Sequence, residues 1–330
     1  WGFSSPTAGI RANTAWDLAT GSAIIVAVLD TGQTSHSDLN ANTVAGYDFI
    51  TSTTVAGDGN GRDSDPSDPG DFSGGQNSSW HGTHVAGTVA ARTNNGVGVA
   101  GTAFNAKIMP VRVLGRGGGS TSDIADAITW ASGGTVSGVP TLSASQKAHV
   151  INMSLGGSGS CGTTTQNAIN GAVSRGTTVV VAAGNSNANV SGFTPASCNN
   201  VIAVASITSS GARSSFSNYG ALIDVSAPGS NILSTLNSGT TTPGSESYAS
   251  YNGTSMAAPH VAGTVALVQS RRLALGLPLY TPAQVEQLLK DTAYPLPGAC
   301  SGGCGAGIID ARRAVEVAGG GGGGGGGTQT

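Results

Sequence analysis

Three short segments carry the side chains of this sequence that could do covalent chemistry. Val26-Ala27-Val28-Leu29-Asp30-Thr31-Gly32 is an apolar run ending in a carboxylate. His81-Gly82-Thr83-His84-Val85-Ala86-Gly87 opens a helical pattern on a histidine. Asn252-Gly253-Thr254-Ser255-Met256-Ala257-Ala258-Pro259-His260 leads a serine into a further helix. A serine hydroxyl is a poor nucleophile until a base takes its proton, and an imidazole base needs a third group to fix its tautomer. Ser255, His81 and Asp30 supply one of each. A helix start favours developing negative charge and leaves its first N–H groups free, which suits Ser255. Gly82 allows close approach beside His81, and Asp30 stands at the carboxyl end of a candidate strand, where open α/β sheets place their sites.

Singly, each segment has a plainer reading. Asp-Thr-Gly often follows a strand, a histidine opening a helix is usually a cap or a packed polar group, and Gly-Thr-Ser before a helix is most often an N-cap. Independent caps have no reason to occur in this order with these neighbours. Together the segments resemble the Asp, His and Ser signatures of the subtilisin-like serine proteases, in that family's chain order. The likeness runs from about Ile10 to Val317 and is closest at Gly253-Thr254-Ser255-Met256-Ala257-Ala258-Pro259. It implies Ser255 as nucleophile, His81 as general acid and base, and Asp30 as the orienting carboxylate. His84 matches a non-catalytic histidine of the motif; His260 reads as structural, and His36 and His149 as ordinary surface or strand-end histidines. Val181-Ala182-Ala183-Gly184-Asn185 resembles the family's oxyanion segment, so that the Asn185 amide and the Ser255 N–H would hold the tetrahedral intermediate.

The same resemblance implies a substrate cleft. Ser154, Leu155 and Gly156 would form one wall of the pocket for the residue before the cut, and Ala182, Ala183 and Gly184 the other, with Gly192 near its base. Leu114 to Gly119, including Gly115, Gly117 and Gly118, would offer a strand edge to an extended polypeptide. Walls of small residues lead us to expect a large apolar side chain before the cut. Structural calcium is expected at two sites. Asp38 with Arg92, Asn95, Val97 and Val99 resembles the family's tight site, an oxygen cage suited to a hard cation. The second is the loop holding Asp58, Asn60, Asp63, Asp65, Asp68 and Asp71, whose five carboxylates would repel one another without a counter-ion. Its start mimics an EF-hand, but Arg62 and Pro69 sit where ligands would be expected, so a family-specific calcium loop near His81 is the expectation.

The elements that must position these residues read as α/β: a doubly wound, mainly parallel sheet flanked by helices in three layers. Near-continuous apolar strands are expected at 24–29, 107–113, 149–153, 177–181, 201–206 and 222–225, and helices at 81–91, 122–130, 164–175, 255–271 and 282–291. Thr281-Pro282 gives the last helix an N-cap and a first-turn proline. One peptidase domain is expected over 1–318, followed by a flexible glycine-rich tail or linker at 319–330.

The bulk composition agrees. The chain has 330 residues, 38% hydrophobic and only 9% charged, with a net charge of −3 and no basic cluster, which argues against a nucleic-acid partner. No apolar run approaches a membrane span. The chain opens on Trp1-Gly2-Phe3 rather than Met, as expected of a processed, secreted form, and the resemblance adds a propeptide partner during maturation of a zymogen. A monomer acting on extended polypeptides is expected. Four cysteines, Cys161, Cys198, Cys300 and Cys304, allow three pairings. Cys300 and Cys304 bracket a flexible Ser-Gly-Gly that could close a small loop, leaving Cys161 for Cys198; a zinc site would need a nearby histidine or a second close pair. An even count suits an oxidising, extracellular setting. Two competing readings are a non-catalytic binding protein on this scaffold and an esterase. The first is opposed by the intact Ser, His, Asp and oxyanion set, the second by the chain order and by Gly-Thr-Ser-Met-Ala in place of a Gly-x-Ser-x-Gly elbow.

Overall fold

Val26 and Val28 pack into one buried cluster and Ala27 and Leu29 into another, so the run that ends in Asp30 is a strand covered on both faces. The computed structural model describes residues 1–320, and the tail expected over 319–330 lies, from residue 321, outside them. The strands are β1 (Ile25–Asp30), β2 (Tyr47–Asp48), β3 (Lys107–Arg112), β4 (Val150–Met153), β5 (Gly157–Ser158), β6 (Thr178–Ala182), β7 (Phe193–Thr194), β8 (Ile202–Ile207), β9 (Val225–Pro228), β10 (Ile232–Asn237) and β11 (Glu246–Tyr251). The α-helices are α1 (Ala12–Ala15), α2 (Thr53–Ala56), α3 (His81–Ala90), α4 (Thr121–Ala131), α5 (Thr163–Ser174), α6 (Thr254–Ala274), α7 (Pro282–Thr292) and α8 (Ala311–Ala318).

Seven strands form one parallel sheet in the order β2-β3-β1-β4-β6-β8-β9. Helices α3 and α6 cover one face and α4 and α5 the other. The chain leaves β1 for β3 on one side and returns to β4 on the other, so the order reverses between β1 and β4. That reversal opens a crevice at the carboxyl ends of neighbouring strands. Asp30 ends β1 and Ser154 follows β4, which places both at its edge.

Five of the seven sheet strands lie where apolar runs place them, the two-residue β2 was not expected, and the last is displaced. It was expected at 222–225 and forms at Val225–Pro228. Asp224 accounts for the shift: its carboxylate takes the Ala203 N–H at 2.8 Å, and its own N–H bonds the Ala203 carbonyl. The antiparallel hairpin β10–β11, with its Ser- and Thr-rich strands, was not among the expected strands. On α7 the expected cap is present. Thr281 Oγ1 accepts from the Gln284 N–H at 3.2 Å and Gln284 Oε1 from the Thr281 N–H at 2.9 Å, behind Pro282. The cysteines pair as Cys161–Cys198 and Cys300–Cys304.

Candidate active site

Helix α3 starts on His81 directly after Trp80, which is buried and held in the left-handed region with its indole N–H on the Gly239 carbonyl at 2.7 Å. This entry aims His81 at the end of β1. His81 Nδ1 lies 2.7 Å from Asp30 Oδ1, and since a carboxylate only accepts, Nδ1 carries the proton and Nε2 is left as the base. The Thr31 N–H donates to the same Asp30 oxygen at 2.8 Å. Asp30 Oδ2 is buried without a partner, so the His81 contact is a main compensation for burying this charge. A Cβ on Gly82 would come within 2.1 Å of the Gly32 carbonyl, which is why glycine stands there. Burial pulls the imidazole down, but Asp30, by charge and hydrogen bond, with Asp71 and Asp68 beyond it, brings His81 above its ordinary 6.5.

One turn on, His84 has a different fate. Its Nε2 meets the Ala249 carbonyl at 2.9 Å, its ring stacks on Tyr251 with centroids 4.5 Å apart, and burial lowers it to about 4. His260 is equally structural, with Nδ1 on the Met256 carbonyl at 2.8 Å and burial lowering it to about 4. His36 is not a surface residue: it is fully buried, with Nε2 on the Ser247 carbonyl at 3.0 Å and Nδ1 accepting the Asp38 N–H at 3.1 Å.

Ser255 is the second residue of α6, where backbone N–H groups have no partner within the helix. The Thr254 N–H goes to Asn185 Oδ1 at 2.8 Å and the Met256 N–H to the Gly253 carbonyl at 3.0 Å. The Ser255 N–H between them has no partner among the described residues. Asn185 Oδ1 also accepts from Thr254 Oγ1 at 2.8 Å, so Thr254 fixes the amide and leaves Nδ2 free to donate. Thr254 is a functional residue the sequence reading passed over, although it is the middle residue of the Gly-Thr-Ser string. Asn218 is another. Fully buried, it takes the N–H groups of Ser186 and Ala188 on its side-chain oxygen and donates to the Ala183 carbonyl, clamping the segment that carries Asn185. The Ser255 hydroxyl donates to the Ser154 carbonyl at 3.2 Å rather than to His81.

Beside Ser255 opens a cavity of about 380 Å³. Leu155 and Gly156 line one side and Ala182, Ala183 and Gly184 the other, with Asn185 and Ser255 at its floor. Gly192 does not line it; the chain turns at Gly192 and presents Phe193, Thr194 and Ala196 instead. The Ser154 side chain points away, into the Ser255 carbonyl. A second cavity of about 550 Å³ adjoins through Leu155 and Gly156 and is lined by Leu114, Gly117 and Gly118. Gly115 is not part of that wall. It closes a tight turn with Gly118 and packs on Val55, whose carbonyl would lie 2.1 Å from a Cβ.

The acidic loop does not gather into one cage. Asp58 pairs with the buried Arg112 at 3.3 Å, and Asn60 Nδ2 donates to Asp63 at 2.5 Å. Asp68 is buried apart from these, accepting from Thr31 Oγ1 at 2.9 Å, and burial raises it to about 7. Asp71 takes the N–H and hydroxyl of Ser79, just before His81, at 2.6 and 2.7 Å. The expected repulsion is relieved by separate partners, and two of the carboxylates belong to the surroundings of the histidine. Among the described residues no three His, Cys, Asp or Glu side chains converge. Asp38 is a different case. It is fully buried, with Asn95 Nδ2 at 2.6 Å, the Val99 N–H at 3.2 Å and the Tyr248 hydroxyl at 3.1 Å around its carboxylate. The Arg92 N–H bonds the Asp38 carbonyl, and the Val97 N–H bonds Asn95 Oδ1 at 3.2 Å. A buried carboxylate ringed by neutral groups, beside an amide and a carbonyl-rich loop, is a donor set that fits a hard cation.

Residues 21–307 match the sequence profile of the Subtilase family of peptidases. An extracellular protease of Xanthomonas campestris pv. campestris is 67% identical over 327 residues, covering 96% of this chain and 55% of that protein. An extracellular basic protease of Dichelobacter nodosus is 47% identical over 321 residues, covering 93% of this chain and 53% of that protein. The chain thus spans about half the length of these curated relatives. A solved structure of a protease from Pseudoalteromonas arctica is 56% identical and superposes with a TM-score of 0.92 over 96% of each chain.

Proposed function

The chain belongs to the subtilase family, and on that premise we propose that it is a secreted serine endopeptidase whose peptidase domain spans residues 1–318. The observation that carries this reading is the 2.7 Å contact of His81 Nδ1 with Asp30, which leaves Nε2 unprotonated beside the crevice where α6 presents Ser255. In the proposed cycle the Ser255 hydroxyl rotates from Ser154 to His81 Nε2 and gives up its proton, and Oγ attacks the peptide carbonyl carbon. The Asn185 Nδ2 and Ser255 N–H hold the resulting oxyanion. His81 returns the proton to the leaving nitrogen, giving an acyl-enzyme and an amine. Water, deprotonated by His81, then attacks the ester and restores Ser255. The small residues around the 380 Å³ cavity support a preference for a large apolar residue before the cut. The run through Leu114, Gly117 and Gly118 supports extended binding of the preceding residues.

Calcium is part of the proposal at one place. Asp38 and Asn95 would hold it, with carbonyls of Arg92, Val97 and Val99, neutralising a buried charge. No helix among the described residues is long and apolar enough to cross a membrane. The names of the relatives support secretion, a propeptide partner and action as a monomer on polypeptides complete the reading, and Ser255→Ala tests it. We expect loss of casein cleavage by roughly 10⁶-fold, the order seen when the nucleophile of a related subtilisin is removed. Retained cleavage would refute the reading. The same inactive variant cannot digest itself, so its melting temperature with and without chelator isolates calcium: a drop is expected, and an unchanged value would remove calcium from the proposal.

A further inference from the structure

The carbonyl of Ser255 is an acceptor that its own helix cannot use. In α6 it would take the N–H of the residue four positions on, but that residue is Pro259, which has none. The carbonyl is not left bare. Ser154 Oγ donates to it at 2.7 Å, and Asn152 Nδ2 donates in turn to Ser154 Oγ at 3.0 Å. Both of these residues are buried, at the end of β4. In the opposite sense Ser255 Oγ rests on the Ser154 carbonyl. One residue from the sheet therefore holds the nucleophile by its main chain and by its side chain.

We propose that Ser154 is a positioning residue for Ser255, and that Pro259 is what makes the helix depend on it. The inference rests on the endopeptidase reading and deepens it. Ser255 must present Oγ to His81 and its N–H to the oxyanion together, and both hang from a backbone whose regular helical restraint is missing. Ser154 replaces that restraint with a bond to a fixed strand. Its side chain does not line the cavity beside Ser255, so removing the hydroxyl leaves the substrate wall in place. The loss should therefore fall on the chemical step and not on binding.

The experiment compares Ser154→Ala, Pro259→Ala and the double variant, by kcat and KM on a peptide anilide and by the acylation burst on a nitrophenyl ester. Ser154→Ala is expected to lower kcat and the burst rate roughly tenfold with KM within about twofold, the pattern of a misplaced nucleophile. In the double variant, alanine at 259 supplies the missing N–H to the Ser255 carbonyl. Its kcat should return to within about threefold of Pro259→Ala alone, and Ser154→Thr, which keeps the hydroxyl, should stay near the parent. An unchanged kcat in Ser154→Ala, or a double variant that stays about tenfold below Pro259→Ala, would overturn the proposal. Should Ser154→Ala fail to fold, recovery of folding and of kcat in the double variant would support the proposal, and a double variant that also fails to fold would overturn it. A parent chain that cleaves neither casein nor the anilide would instead strike the peptidase reading, and this proposal with it.

Discussion

On the floor of the cleft, Asn185 commits its side-chain oxygen to two bonds from Thr254, whereas on the wall Gly157 has open space where a side chain would stand. The contrast holds across both regions. Asp30, Thr31, His81, Thr254, Asn185 and Ser255 each have a partner that fixes one atom and frees another. Gly117, Gly118, Gly156 and Gly157 line the cavities with backbone alone. The floor cannot change without leaving a buried group unpaired, and the wall can change without that cost at Gly157. Elsewhere on the wall, Gly117 and Gly118 hold positive φ, and a Cβ on Gly156 would come within 2.9 Å of the Thr194 carbonyl. Chemistry and selectivity are therefore separable in this molecule, and substitutions in the two regions should move different observables.

The largest effect is expected on the floor. Asn185→Ala removes the freed amide donor, and kcat should fall by roughly 10²–10³ with KM nearly unchanged, the loss known for the corresponding asparagine of a related subtilisin. Stopped assays on a peptide anilide would show it, and a kcat within about threefold of the parent would remove Asn185 from the oxyanion site. On the wall, Gly157 borders both cavities and pairs with Thr194 in the short β5–β7 ladder, and a Cβ at this position would meet nothing within 4 Å. Gly157→Val should cut kcat/KM for phenylalanine relative to alanine before the scissile bond by about tenfold while leaving the melting temperature within a few degrees. Unchanged selectivity across a peptide series would show that Gly157 does not limit the pocket.

The two regions were also unequally legible in the sequence. Asp30, His81, Ser255 and Asn185 announce themselves because each sits in a string whose neighbours meet a local backbone demand. Gly82 must clear Gly32, and Gly-Thr-Ser must turn a loop into a helix. Asn218 could not be read the same way, since its role depends on a loop returning from about thirty residues away in the chain. The wall was legible only in part. Leu155, Gly156 and Ala182 to Gly184 follow strands whose ends are fixed by the sheet, while Gly192 and Phe193 differ only in which way a short turn faces. The partners of the acidic loop were illegible for a related reason: charge spacing along the chain says nothing about Arg112, Thr31 and Ser79, which hold its carboxylates apart.

The smallest effect tests how far the floor extends. His81 must be neutral to take the Ser255 proton, so activity falls as pH drops through its raised value. Burial opposes that rise and Asp30 drives it, but Asp71 and Asp68 contribute from outside the triad. Of these two Asp71 contributes the more, so it is the better probe. Asp71→Asn keeps an oxygen to accept the Ser79 N–H, places an Nδ2 that can donate to the Ser79 hydroxyl oxygen, and removes the charge. Loss of a negative neighbour lowers the imidazole, so the acid limb of kcat/KM should move to lower pH by a few tenths of a unit, on the order expected for one screened charge. The displacement should shrink as salt is raised. A limb that stays in place at low ionic strength, or moves upward, would confine the electrostatic floor to Asp30 alone and sharpen its boundary with the rest of the loop.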